Sequence, residues 1–194
     1  MADLGDIITS KVRTKLLGLF YTDPNEMYHV RGIAREIKEE INAIRRELKR
    51  LERACIVKKE TRGNRIYYWA RSDYSMFGDM LSIVAKETGL GSAIISNKSK
   101  LGRPSIVMFS GKFARHKARK RDDDVDILVV GEVNLSELAA LIRMEESKRG
   151  EEINYTVMTR DELEFRKKRR DPFLLSILSG SRVMIIGDEE GLVS

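Results

Sequence analysis

The residues best suited to chemistry in the first third of this chain are cations at helical spacing. In NAIRRELKRLER, residues 42–53, the side chains of Asn42, Arg45, Arg46, Lys49 and Arg50 fall on one face, because positions three and four apart on a helix are neighbours. Near the start of such a helix, Asn42, Arg45 and Arg46 are placed to meet base edges, an Arg pairing with guanine O6 and N7 and an Asn with adenine. Lys49 and Arg50, with Arg62 and Arg65 further on, are placed to meet phosphates, which position a protein without reading sequence. The bland alternative is a charged face that is only solvated. A second set of candidates lies in the other half. Asp124 and Asp126 open the apolar run DILVVG; on a strand, two positions apart, they point to one face about 6.5 Å apart along the chain. Just ahead, a glycine-led run carries Gly111, Lys112, Arg115, Lys117, Arg119, Lys120 and Arg121.

Periodicity supplies the elements that would hold these groups. Ile41, Ile44, Leu48 and Leu51 draw an apolar stripe down the basic helix. Before it, Ile8, Val12, Leu16, Leu19 and Phe20 predict a helix over 7–20 that TDPN ends, and VRGIAREI predicts a short helix at about 30–37. After Arg53 the period changes: CIVKKE and RIYYWA read as two strands joined at Gly63 and Asn64. Tyr67, Tyr68 and Trp69 read as hairpin packing, and Cys55 as a small core residue. Residues 74–98 predict one helix joining the halves, with Met76, Met80, Ile83 and Val84 at helical spacing. Beyond it, SIVMF, VDILVVG, EINYTVM and RVMIIG predict four strands. Between them, Asn134 with Glu137 and Thr159 with Glu162 have helix-capping spacing, and Asp171-Pro172 starts a further helix. The expected fold class is α+β in two domains: residues 1–73 with three helices and a hairpin, a linker helix at 74–101, and a small α/β domain with a mixed sheet at 102–194.

Charge is unevenly spread. The net charge is +6, yet residues 1–73 hold 16 Lys and Arg against 11 Asp and Glu, leaving 20 against 19 for the remainder. A one-sided basic excess is the footprint of a polyanion binder. One cysteine excludes an internal disulfide, and no Cys/His cluster points to zinc. The amino end lacks a leader pattern and the apolar runs are too short to span a bilayer, so a cytoplasmic protein with no membrane partner is expected.

HVRGIAREI, NAIRRELKRLERACIV and RGNRIYYW together resemble the winged helix-turn-helix transcriptional regulators related to the ArsR group. That resemblance implies a third helix in the major groove of double-stranded DNA, a hairpin reaching the adjacent backbone, and a homodimer built on the linker helix. Cys55 stands where the group usually has Gly, and the Cys clusters of metal-sensing members are absent. A second resemblance covers most of residues 105–188: a strand, a Gly-led loop and Asp-x-Asp opening DILVVG resemble the minimal nucleotidyltransferase domain of the DNA polymerase beta-like superfamily. It implies that Asp124 and Asp126 hold Mg²⁺, which binds a nucleoside triphosphate, and that Gly111, Lys112 and Arg115 contact phosphates. The chain departs from that pattern, with Gly111-Lys112 for Gly-Ser, Arg115-His116 for Arg-Gly, and Asn154 where a third carboxylate belongs; Glu152 lies two residues away as a substitute.

Two functions follow. One is a DNA-binding regulator that needs no cofactor to bind, with a degenerate second domain that senses a nucleotide or supports assembly. The other is a Mg²⁺-dependent nucleotidyltransferase targeted by its first domain. A third possibility is that the cationic run at 112–121 itself binds nucleic acid.

Overall fold

A computed structural model describes residues 5, 8–119, 121 and 124–193. It divides into two compact units, with the break between Glu87 and Thr88. The described residues form eleven helices, a three-stranded antiparallel sheet and a four-stranded mixed sheet, an α+β arrangement. No helix among them is long and apolar enough to cross a membrane.

In the first unit, helix α1 (Lys11–Thr22) starts later than periodicity predicts, because the Ser10 hydroxyl caps it by accepting from the Arg13 amide. A two-residue strand β1 (Tyr28–His29) leads into α2 (Val30–Ile37), which the His29 ring caps through Nδ1. Helix α3 (Ile41–Arg53) buries Ile44, Leu48 and Leu51 in a core shared with Leu16, Phe20 and Ile33. Strands β2 (Val57–Arg62) and β3 (Arg65–Ala70) pair in register from Val57 with Ala70 to Arg62 with Arg65, turning at Gly63 with φ +61°. β1 pairs with β3 on its other side, giving the order β1-β3-β2.

Cys55 does not enter the core. The Ile56 amide donates to Leu51 O and the Cys55 amide to Glu52 O, both at 2.9 Å. These two bonds close α3 in the turn whose pivot must be left-handed. Cys55 is that pivot, with φ +58°, and its side chain is exposed.

The helix expected over 74–98 is also two helices. α4 (Phe77–Glu87) packs on α1 in the first unit, and α5 (Gly89–Ser96) belongs to the second. Gly89, at φ +54°, breaks the run.

The second unit continues with α6 (Lys98–Leu101), β4 (Gly102–Ser110), α7 (Gly111–Ala114), β5 (Ile127–Val133), α8 (Leu135–Arg149), β6 (Tyr155–Met158), α9 (Arg160–Lys168), α10 (Pro172–Leu178), β7 (Arg182–Ile186) and α11 (Glu189–Val193). The sheet order is β6-β5-β4-β7, with only β5 and β6 parallel. Alternate side chains of β4 point to opposite faces. Ile106 and Met108 join Leu128, Val130, Leu163 and Leu174 in one cluster, while Val107 and Phe109 are buried on the other face. A sheet covered on both faces explains why SIVMF and ILVV are continuous apolar runs. The Asn134, Thr159 and Asp171 side chains cap α8, α9 and α10 as their spacing predicts.

Candidate functional site

The α3 stripe fixes what its other face can do. With Ile44, Leu48 and Leu51 turned inward, Asn42, Arg45, Arg46, Lys49 and Arg50 are all exposed. Arg45, Arg46, Lys49 and Arg65 make no ion pair among the described residues, and Arg65 is exposed beside the hairpin turn. The other two cations of the set are partnered. Arg62 meets Glu60 through two bonds of 3.1 Å and lies 5.9 Å from the Tyr67 ring centre, and Arg50 Nη1 donates to Glu47 at 3.0 Å.

Glu47 is the residue that sequence reasoning passed over. It is 8% exposed, and its second oxygen accepts from Arg13 Nε on α1 at 2.9 Å. Burial pushes its pKa up, but the bond and charge of Arg13, with the charge of Arg50, outweigh that and hold it below the ordinary value. The signal was available: Ile44, Glu47, Leu48 and Leu51 follow the i, i+3, i+4, i+7 pattern of a buried stripe.

In the second unit, Gly111, Lys112, Asp124 and Asp126 line one cavity of about 460 Å³, walled in part by Phe173 and Ile177 from α10. Both aspartates precede β5 rather than lying on it. Each carboxylate is held by a cation from the run ahead of it. Lys112 Nζ donates to Asp124 Oδ2, and Arg119 Nε donates to Asp126 Oδ2 at 2.9 Å. Asp126 is 5% exposed and also accepts from the Asn154 amide at 3.0 Å. Burial raises its pKa, against the opposing pull of that amide and of Arg119.

Asn154 therefore stands beside Asp126, and its Nδ2 also donates to the Asp124 carbonyl at 3.3 Å. Glu152 precedes β6 instead of sharing a strand face; it lines a second cavity with Asp126, Arg149 and His116, while its carbonyl accepts from Arg119. Arg115 does not line the first cavity; its Nη1 donates to Gly111 O at 3.1 Å and to Ser181 Oγ at 2.9 Å. Ser181 also explains Gly111. The Gly111 amide donates to Ser181 O at 2.6 Å, and a Cβ on Gly111 would lie 2.0 Å from Ser181 Oγ. Sequence spacing gave no hint that Arg115 has a partner 66 residues away.

Of the cationic run, Lys112, Arg115 and Arg119 thus turn toward their own unit rather than outward, Lys117 is exposed, and Lys120 lies outside the described residues.

The donor set fits Mg²⁺ poorly. A divalent ion needs concentrated negative charge, and here two carboxylates carry two cations with an amide where a third acid would serve. Among the described residues no three His, Cys, Asp or Glu side chains group to hold a metal. Compared with protein-family models, with curated proteins and with solved structures, the chain shows no match.

Proposed function

We propose that this chain is a DNA-binding transcriptional regulator whose first unit is a winged helix-turn-helix, with α3 as the helix that enters the major groove. The observation that carries this reading is the outward face of α3. Arg45, Arg46 and Lys49 are exposed and without ion pairs among the described residues, on a helix whose opposite stripe is fixed in the core. Arg62 and Arg65 flank the two-residue turn of a hairpin that follows directly, the place from which a wing reaches a phosphate. Arg45 and Arg46 read base edges; Lys49, Arg50, Arg62 and Arg65 position the duplex. A homodimer would set half-sites about 34–36 Å apart on one face of the DNA.

The second unit is a degenerate relative of the minimal nucleotidyltransferases that senses a nucleotide or supports assembly. Its support is the pairing of Lys112 with Asp124 and Arg119 with Asp126, which leaves the acidic pair internally neutralised. One observation favours the rival reading of an active transferase: the aspartates share a nucleotide-sized cavity with Gly111 and Lys112.

Selection from a random duplex pool tests the first proposal. The intact chain enriches a sequence, and Arg45→Ala with Arg46→Ala abolishes the enrichment; an unchanged enriched sequence in the variant overturns it. Incubation with labelled ATP, CTP, GTP and UTP and Mg²⁺ decides the second. No label transfer is expected, and transfer that Asp126→Asn abolishes establishes the enzyme instead.

A further inference from the structure

The second unit carries a cationic surface that the paired aspartates do not use. Helix α9 ends in a tight turn: the Arg170 amide donates to Lys167 O and the Asp171 amide to Arg166 O, both at 3.0 Å, and Arg170 sits at φ +51°. Arg166 reaches across the turn to Asp171, the residue that caps α10, at 3.4 Å. The turn is thus fixed at both ends. On it, Lys168, Arg169 and Arg170 are exposed and make no ion pair among the described residues.

Two phenyl rings flank these cations, both exposed against the usual tendency of phenylalanine. Phe165 on α9 is 56% exposed and Phe173 on α10 is 41% exposed. The Arg169 guanidinium lies 4.8 Å from the Phe165 ring centre and that of Arg166 lies 5.7 Å from the Phe173 ring centre. Exposed rings beside exposed cations are the two parts of a single-strand binding surface: bases stack on the rings, and the backbone follows the positive charge. A duplex offers no unstacked base to such a ring.

We infer that the α9–α10 turn binds single-stranded nucleic acid, with Phe165 stacking a base and Lys168, Arg169 and Arg170 meeting the adjacent phosphates. The turn's backbone is fixed before binding, so none of its order has to be gained on binding.

The test uses the full chain and a fluorescein-labelled oligothymidine of twelve nucleotides, followed by anisotropy against salt. Phe165→Ala should weaken binding about tenfold, in line with the loss of one stacked base, with little change in salt slope. Lys168→Gln with Arg169→Gln and Arg170→Gln should flatten the salt slope by about two. Arg45→Ala with Arg46→Ala should leave this binding intact while duplex binding falls, which separates this surface from the α3 face. Circular dichroism of each variant guards against a fold change, and these side chains are exposed, so none is expected. Equal affinity in Phe165→Ala overturns the stacking role. An oligouridine RNA of the same length, titrated alongside, distinguishes an RNA strand from a DNA strand, and binding of neither overturns the proposal. Sedimentation with phosphatidylserine vesicles, lost in Phe165→Ala while oligonucleotide binding is unaffected, overturns the proposal in favour of a lipid surface.

Discussion

Replacing Glu47 by Gln should loosen the first unit, by an amount that pH sets. The Glu47 side chain is 10% exposed, while its partners Arg13 and Arg50 are 33% and 61% exposed. Removing one partner of a fully buried pair costs about 3–5 kcal/mol. An exposed pair contributes about 1 kcal/mol at most. Glu47 lies between these limits, nearer the buried one on its own side and nearer the exposed one on its partners', so Glu47→Gln should cost about 2 kcal/mol at pH 7. Because the folded pKa is depressed below the ordinary 4.5, the stabilisation is fully present above that value and is lost as pH falls through the folded pKa. The gap between wild type and variant should therefore be widest near neutrality and should close in acid. Trp69, on β3, is the single tryptophan, so its fluorescence reports this unit alone in urea titrations at pH 7, 5 and 3.5. A gap of equal size at all three values would refute the ion-pair origin.

Asp126 should behave with the opposite sign. Its folded pKa is raised, so its contribution to stability is greatest below the unfolded value and is lost as pH rises through the folded one. Asp126→Asn should thus lose less stability than wild type between pH 4 and pH 7, read from urea melts by far-UV circular dichroism; a parallel decline in both would contradict this. Two glycines should part company. Gly18, in α1, has nothing within 4 Å of an added Cβ, so Gly18→Ala should stabilise by about 0.5–1 kcal/mol. Gly111→Ala meets Ser181 and Arg115 and should lower the melting temperature clearly, because strand β7 must move. Cys55→Gly should gain about 0.5–1 kcal/mol by relieving the left-handed pivot after α3; a loss would mean the cysteine makes a contact that offsets its strain.

Features set by neighbouring residues were legible in the sequence. The stripe of Ile44, Leu48 and Leu51, the turn at Gly63 and the caps at Asn134, Thr159 and Asp171 each depend on residues within one turn of each other. What depends on distant partners was not. β1 is two residues long and exists because Tyr67 and Tyr68 on β3 pair with it. Arg115 looked like a phosphate ligand until Ser181 claimed it, and Glu152 and Asn154 shared a period but both precede β6. Cys55 is a case between the two. Its departure from Gly was visible, yet the exposure follows from a turn whose geometry requires a left-handed residue whatever its polarity.

The most direct measurement is the salt dependence of duplex binding by the intact chain and by Lys49→Gln with Arg65→Gln, using the sequence that selection enriches. Both residues are exposed and without ion pairs among the described residues, so each is available to a phosphate. If α3 and the hairpin lie against DNA, the plot of log affinity against log salt should be steep for the wild type and shallower by about two in the variant, with the preferred sequence unchanged. Identical slopes for the two proteins would mean that these cations face water when DNA is bound, and α3 would not be the helix that enters the groove.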